Sequence, residues 1–134
     1  MLSEKHFLYV EDDFPSRIVL QKLMKSMGVT QFSMFEDSTD FMDRFKALEN
    51  WPDIVLLDIH MQPYNGFEVL RMLRDDPDTA QLTVVALTAS VMNEEVDLLR
   101  TSGFDGVISK PVRMSRFPTI MERVAAGEPV WEVT

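Results

Sequence analysis

Short apolar runs in this chain end on side chains able to do chemistry, and longer stretches of helical period separate them. Phe7-Leu8-Tyr9-Val10 leads into Glu11-Asp12-Asp13, Asp53-Ile54-Val55-Leu56-Leu57 leads into Asp58, and two later runs end on Thr88 and close to Lys110. A run of four to six apolar residues is the length of a buried strand, and alternation with helical segments is the pattern of an α/β fold with a parallel sheet. The spacing predicts strands over 5–10, 31–35, 53–58, 83–88 and 106–109. Right-handed crossovers between them make a doubly wound sheet with helices on both faces. The functional crevice of such a sheet lies outside the carboxyl ends of its strands, where Glu11, Asp12, Asp13, Asp58, Thr88 and Lys110 all fall.

Five helices are predicted between and after the strands. Leu20, Leu23, Met24 and Met27 recur at i, i+3, i+4, i+7, as do Phe117, Ile120, Met121 and Val124. Phe41, Phe45 and Leu48 mark a second helix, Phe67, Leu70 and Leu73 a third, and Met92, Val96 and Leu99 a fourth. Gly28 and Gly103 stand where helix ends want a left-handed residue, and Asp75-Asp76-Pro77-Asp78 stops the third helix. Pro118 is compatible with the last helix if Ser115 caps it, because the first turn has amide protons without helical partners. The ten methionines read as core packing. Residues 1–126 form one domain and 127–134 a short tail, whose Trp131 either docks on the body or belongs to a linker. Met1 and that short tail favour a complete protein.

Bulk properties narrow the function. A net charge of −9, from 22 acids against 13 bases, is the wrong sign for a nucleic-acid or anionic-membrane surface. The absence of cysteine excludes disulfides, thiolate metal sites and thiol nucleophiles. Neither a signal peptide nor a run of the roughly 20 apolar residues that a membrane span needs is present, so a cytoplasmic location is expected.

The acids at the strand ends carry the chemistry. Carboxylates brought together from neighbouring strands raise each other's pKa, so they hold either protons or a cation. An all-oxygen group beside an ammonium suits Mg²⁺. With the pocket neutralised, one carboxylate is free to attack phosphorus and form an acyl phosphate, while Lys110 and Thr88 supply a cation and a hydroxyl donor. Taken singly, each residue has a plainer explanation: Asp13 as a helix cap, Lys110 as a surface charge, Thr88 as a β-branched strand residue. Their convergence on one edge outweighs those explanations.

Val10-Glu11-Asp12-Asp13-Phe14-Pro15-Ser16-Arg17, Leu57-Asp58-Ile59-His60-Met61, Asn65-Gly66, Ala86-Leu87-Thr88-Ala89 and Lys110-Pro111 together resemble the signature of the receiver domain of two-component response regulators, over roughly residues 5–126. The resemblance implies a flavodoxin-like sheet of order 2-1-3-4-5 with five helices. It implies that Asp58 takes a phosphoryl group from a sensor histidine kinase or phosphotransfer protein. Glu11 and Asp12 would organise Mg²⁺, with Asp12–Asp13 as the alternative register. The backbone carbonyl of His60 would join Asp58 on the ion. Thr88 becomes the switch hydroxyl, Lys110 the phosphate-binding lysine, and the face of the fourth helix, fifth strand and fifth helix the surface for an output protein.

Departures from the family concentrate around the site. Gln62 stands where the family has proline, which follows here at Pro63. Val107 replaces the usual switch aromatic, and His60 and Ser90 occupy positions that tune dephosphorylation. Three other functions compete with the receiver. A phosphohydrolase of the haloacid-dehalogenase type would want an acid at His60. A flavin or nucleotide binder would want a Gly/Ser/Thr-rich cradle where Glu11-Asp12-Asp13 stands. The last is a degenerate receiver that binds partners without phosphorylation.

Overall fold

Burial along the whole length of β1 (His6–Val10) and β3 (Ile54–Asp58) makes these the centre of the sheet, since a parallel strand covered on both faces has no solvent side to keep polar. The computed structural model describes residues 2–89 and 91–132. After β1 come α1 (Phe14–Ser26), β2 (Gln31–Phe35) and α2 (Phe41–Lys46). Beyond β3 follow α3 (Gly66–Asp75), β4 (Thr83–Thr88), α4 (Asn93–Ser102), β5 (Gly106–Ser109), α5 (Phe117–Ala125) and β6 (Val130–Glu132). All pairings are parallel, in the order β2-β1-β3-β4-β5-β6. The expected 2-1-3-4-5 order is therefore present, extended by a short strand from the segment read in the sequence as a tail.

Strand alternation sorts the core into two layers. Phe7, Tyr9, Leu56, Val85 and Leu87 pack against α1 and α5. Leu8, Val10, Val55, Leu57 and Ala86 pack against α2, α3 and α4. The stripes found in the sequence face the core, although Met27 is the C-cap of α1 and Leu48 falls two residues past the end of α2. Met92 precedes α4 instead of lying on it and is 65% exposed. Met114 is exposed as well, so core packing does not account for every methionine.

Helix ends follow local chemistry. Asn65 and Glu68 close a capping box at the start of α3, each side chain bonding the other's backbone N–H. Gly28 (φ +81°) and Gly103 (φ +108°) take the left-handed conformation beyond α1 and α4. The last helix starts one residue later than expected. Its N-cap is Arg116, whose side chain makes no capping bond, and Pro118 lies in the first turn, where no amide is missed. No helix among the described residues is long and apolar enough to cross a membrane.

Candidate functional site

The carboxyl ends of β1, β3, β4 and β5 open onto one pocket because their registers are flush: Val10 lies beside Leu57, Asp58 beside Leu87, and Thr88 beside Ser109. One residue past Val10, the amide of Glu11 donates to Phe35 O (3.1 Å) and prolongs the ladder. Arg17 Nη1 donates to Glu11 O (2.8 Å), fixing the backbone from α1. The Glu11 side chain is 1% exposed, a burial that a carboxylate tolerates only with partners. Tyr9 OH donates to Glu11 Oε1 (2.7 Å), Lys110 Nζ donates to the same oxygen, and Asp13 N–H reaches Oε2 (3.3 Å).

Glu11, Asp12 and Asp58 bring carboxylate oxygens within 4.8 Å of one another. Asp13 is held elsewhere: it caps α1, accepting from Ser16 N (3.0 Å) and Ser16 Oγ (2.6 Å). Of the two registers for the acidic pair, Glu11–Asp12 is the one gathered with Asp58. These three acids, with neither His nor Cys among them, form an all-oxygen group of the kind a hard divalent cation takes. Lys110 Nζ also lies 3.3 Å from Asp58 Oδ1. Its backbone N–H donates to Thr88 O (2.9 Å), so the lysine is tied to the end of β4, and the Lys110–Pro111 bond is cis. Thr88 is 2% exposed at that same strand end. His60 sits in the first turn after β3 with its side chain exposed. Ser90 lies outside the described residues.

Electrostatics inside the pocket are unequal. Burial pushes the Asp58 carboxyl up, and its hydrogen bond and charge contact with Glu11 push it further, to about 7, against the opposing pull of Lys110. Burial also works to raise Glu11, but hydrogen bonds with Asp58, Lys110 and Tyr9 outweigh it and hold Glu11 below the usual range. Near neutrality the pair therefore shares one proton, carried on Asp58. Burial opposes the charge on Lys110, yet Glu11 and Asp58 together hold its pKa above that of a free lysine. Tyr9 is raised by burial first and then by its bond to Glu11, so it stays a donor.

The loop above Asp58 is anchored by a residue the sequence reading did not single out. Ser38, wholly buried between β2 and α2, donates to Tyr64 O (2.7 Å) and accepts from Tyr64 N (2.8 Å). Gln62–Pro63 is cis within the same loop. At its far end, a Cβ on Gly66 would lie 2.8 Å from Ile59 Cδ1 and 2.9 Å from Asp58 O, so only glycine allows α3 to start this close to the acid. Ser38→Ala removes both loop bonds from a buried position, and we expect a loss of about 2 kcal/mol in urea unfolding, with faster amide exchange at Tyr64. Unchanged exchange there would show that the loop is held by something else.

Tyr9 was equally absent from the candidate residues. Its signal was the period of two along β1, which puts residues 7, 9 and 11 on one side of the strand. Ser38 gave no comparable signal, because its partner lies 26 residues away. Val107 is fully buried, with Ala86 on one neighbouring strand and Trp131 on the other.

Comparison with known proteins gives this geometry a family. A model of the response regulator receiver domain matches residues 7–122. The polar-differentiation response regulator DivK of Brucella anthropi is 37% identical over 113 residues, covering 84% of this chain and 89% of that protein. The match to DivK of Brucella ovis, also 37% identical, spans 71 residues, 53% of this chain and 58% of that one. Among solved structures, a putative response regulator from Chloroflexus aurantiacus superposes with a TM-score of 0.81 at 18% identity, covering 91% of this chain and 98% of that one. The receiver domain of a Pseudomonas aeruginosa sensor histidine kinase, solved with a magnesium ion in its active-site cleft, gives 0.78 at 19% identity over 91% and 98%. At that identity the structural matches speak for the fold, and the family model with the Brucella sequence for the lineage: the chain belongs to the response regulator receiver domain family.

Proposed function

We propose that this chain is a phosphorylation-controlled switch in a two-component phosphorelay, with Asp58 as phosphoacceptor. The observation that carries the reading is the placement of Asp58, 5% exposed at the end of β3, with Glu11, Asp12 and Lys110 gathered around it. In the transfer, an Asp58 oxygen attacks the phosphorus of a phosphohistidine on a kinase or phosphotransfer protein. The new O–P bond forms as the P–N bond breaks, and the imidazole leaves with the electron pair and takes a proton. Mg²⁺ held by Glu11, Asp12, Asp58 and the His60 carbonyl would offset the charge on the equatorial oxygens. Lys110 binds a phosphoryl oxygen, which draws it off the carboxylate of Asp58. Thr88 offers its hydroxyl to another.

The donor has a surface to approach. A hollow of about 400 Å³ beside Lys110 is lined by Tyr9, Pro15, Val19, Leu20, Pro111 and Val112. Phe14 and Met114, 62% and 73% exposed, add apolar area to the same side of the molecule. A patch of this kind fits transient docking of a helical phosphodonor. On the other side, the added charge on Asp58 is read out through Thr88 and Lys110 by the face formed by α4, β5 and α5, where an output protein binds. The chain then acts as a signalling phosphoacceptor and not as an enzyme with turnover on a separate substrate.

Incubation with acetyl phosphate and Mg²⁺, followed by intact mass, tests this. Wild type gains one phosphoryl group, the gain is lost with chelator, and Asp58→Ala gains none. Equal phosphorylation of Asp58→Ala would remove the assignment, and steady release of phosphate from phosphomonoesters would favour a hydrolase instead.

A further inference from the structure

Residues 130–132 are built into the sheet. Gly127 (φ +82°) turns the chain at the end of α5, and Glu128 N–H donates to Arg123 O (3.0 Å). Residues 130–132 then run parallel to β5, pairing Gly106 with Val130, Val107 with Trp131 and Ile108 with Glu132. Alternation sends the first two side chains to opposite layers. Val130 is wholly buried in the layer of α1 and α5. Trp131 packs on the layer of α2, α3 and α4, where the Arg100 guanidinium lies 4.6 Å from its ring centroid. The neighbouring strand is shaped for this contact. A Cβ on Gly106 would lie 2.3 Å from Val130 O, and the three nearest atoms to it all belong to Val130.

Two further observations connect this strand to the site. The strand it pairs with, β5, runs directly into Lys110, and Ser109 at its end lies beside Thr88. A single strand, β5, therefore joins the site at one end and pairs with β6 along its side. In addition, α4 meets the core through Leu99 and the partly buried Val96, and the Arg100–Trp131 stack adds a contact from this helix to β6. The strand itself is three residues long and Val130 is its wholly buried side chain among those described, so few apolar contacts hold it in place.

We propose that β6 is a detachable cover over the β5 edge, and that phosphorylation of Asp58 loosens it, exposing a strip that takes an extended partner segment in its place. The inference rests on the phosphoacceptor reading of Asp58. The seated strand defines what the strip accepts: a parallel segment with an apolar side chain opposite Gly106, followed by an aromatic one beside Arg100. Recognition is by main-chain pairing together with these two side-chain sites. By linkage, removing the cover also favours phosphorylation.

The full chain can report on this directly. In a Trp51→Phe background, Trp131 is the remaining tryptophan. Its emission and the amide exchange of residues 128–132 are followed with and without beryllofluoride and Mg²⁺, while phosphorylation by acetyl phosphate is followed by intact mass. Beryllofluoride is expected to red-shift Trp131 and to speed exchange at 130–132 by at least about fivefold. Gly106→Ala, which drives a methyl group into Val130, should show both changes without beryllofluoride and phosphorylate faster. Arg100→Gln, which leaves β5 untouched, should show them in part, and serves if Gly106→Ala fails to fold. Exchange at 130–132 that stays protected in a wild type shown by mass to accept a phosphoryl group overturns the cover. A wild type that takes up neither phosphoryl group nor beryllofluoride instead overturns the phosphoacceptor reading, and the cover with it.

Discussion

Asp58→Asn is expected to stabilise the metal-free protein by about 2 kcal/mol at pH 8, raising its thermal midpoint by several degrees, while abolishing phosphorylation. Burial and the neighbouring Glu11 push the Asp58 carboxyl up to about 7 in the folded chain, against about 3.9 for an unfolded aspartate. Between those values the folded state holds a proton that the unfolded state has released. Stability contributed by the wild-type acid therefore falls as pH rises from about 4 to about 7 and stays low above that. Asparagine has no such loss, and its amide can still donate to Glu11. A shift of three units corresponds to about 4 kcal/mol as an upper bound, and the gain is smaller because Glu11, coupled to Asp58, is displaced the other way. Unfolding of the two proteins at pH 4 and pH 8 gives the check: the gap should be small at pH 4 and full at pH 8. Added Mg²⁺ should close it from the wild-type side, because an ion that binds only the folded acid cluster adds stability by mass action. A gap independent of pH would mean that Asp58 holds no proton in the folded chain.

Lys110→Met is expected to act in the opposite direction, costing about 3 kcal/mol near pH 8. Methionine keeps the length of the stem but removes the ammonium from two acids, one of them 1% exposed. Tyr9, the Asp13 amide and Asp58 when protonated remain as donors to Glu11, but none of them is a cation. The pH dependence follows from Glu11, whose depressed pKa contributes stability above the unfolded value that is lost as pH falls. The cost of the substitution should accordingly shrink toward pH 4, where Glu11 is free to take a proton. Denaturant unfolding at pH 4.5 and pH 8 measures this. A double-mutant cycle with Asp58→Asn should give a coupling of about 1–2 kcal/mol, since the two side chains share Glu11 as neighbour. A cost that is the same at both pH values would place the ammonium outside the acid network.

Much of the molecule could be read from residue types alone. The strand over 53–58 was legible because burial on both faces demands an unbroken apolar run, and the same holds for 83–88. Gly28 and Gly103 marked helix ends because few other residues adopt positive φ at low cost. The acids and Lys110 were legible by position, since a residue that follows a parallel strand must lie at the carboxyl edge. Elements with weaker local signals were misjudged. Met92 belongs to the right apolar stripe but precedes the helix, and Ser115 has the chemistry of a cap that Arg116 occupies instead. Trp131 illustrates the larger gap. A segment such as Pro129-Val130-Trp131 is too short to declare itself a strand, and becomes one only because β5 leaves an edge unpaired and Gly106 leaves room beside it.

By itself, the sequence determined which layers form and which side chains reach the functional edge, because hydrophobic period and strand polarity are local properties of the chain. It also set a carboxylate, Asp58, at the end of a buried parallel strand. Tertiary structure decided how those groups divide their charge. Only the approach of β1 to β3 makes Glu11 and Asp58 share a proton, and only Ser16 at the start of α1 takes Asp13 out of the cluster. It also decided that Ser38 holds the loop above the acid and that residues 130–132 cover the β5 edge. Each of these outcomes depends on a distance between residues far apart in sequence, and a distance of that kind exists only once the sheet has formed.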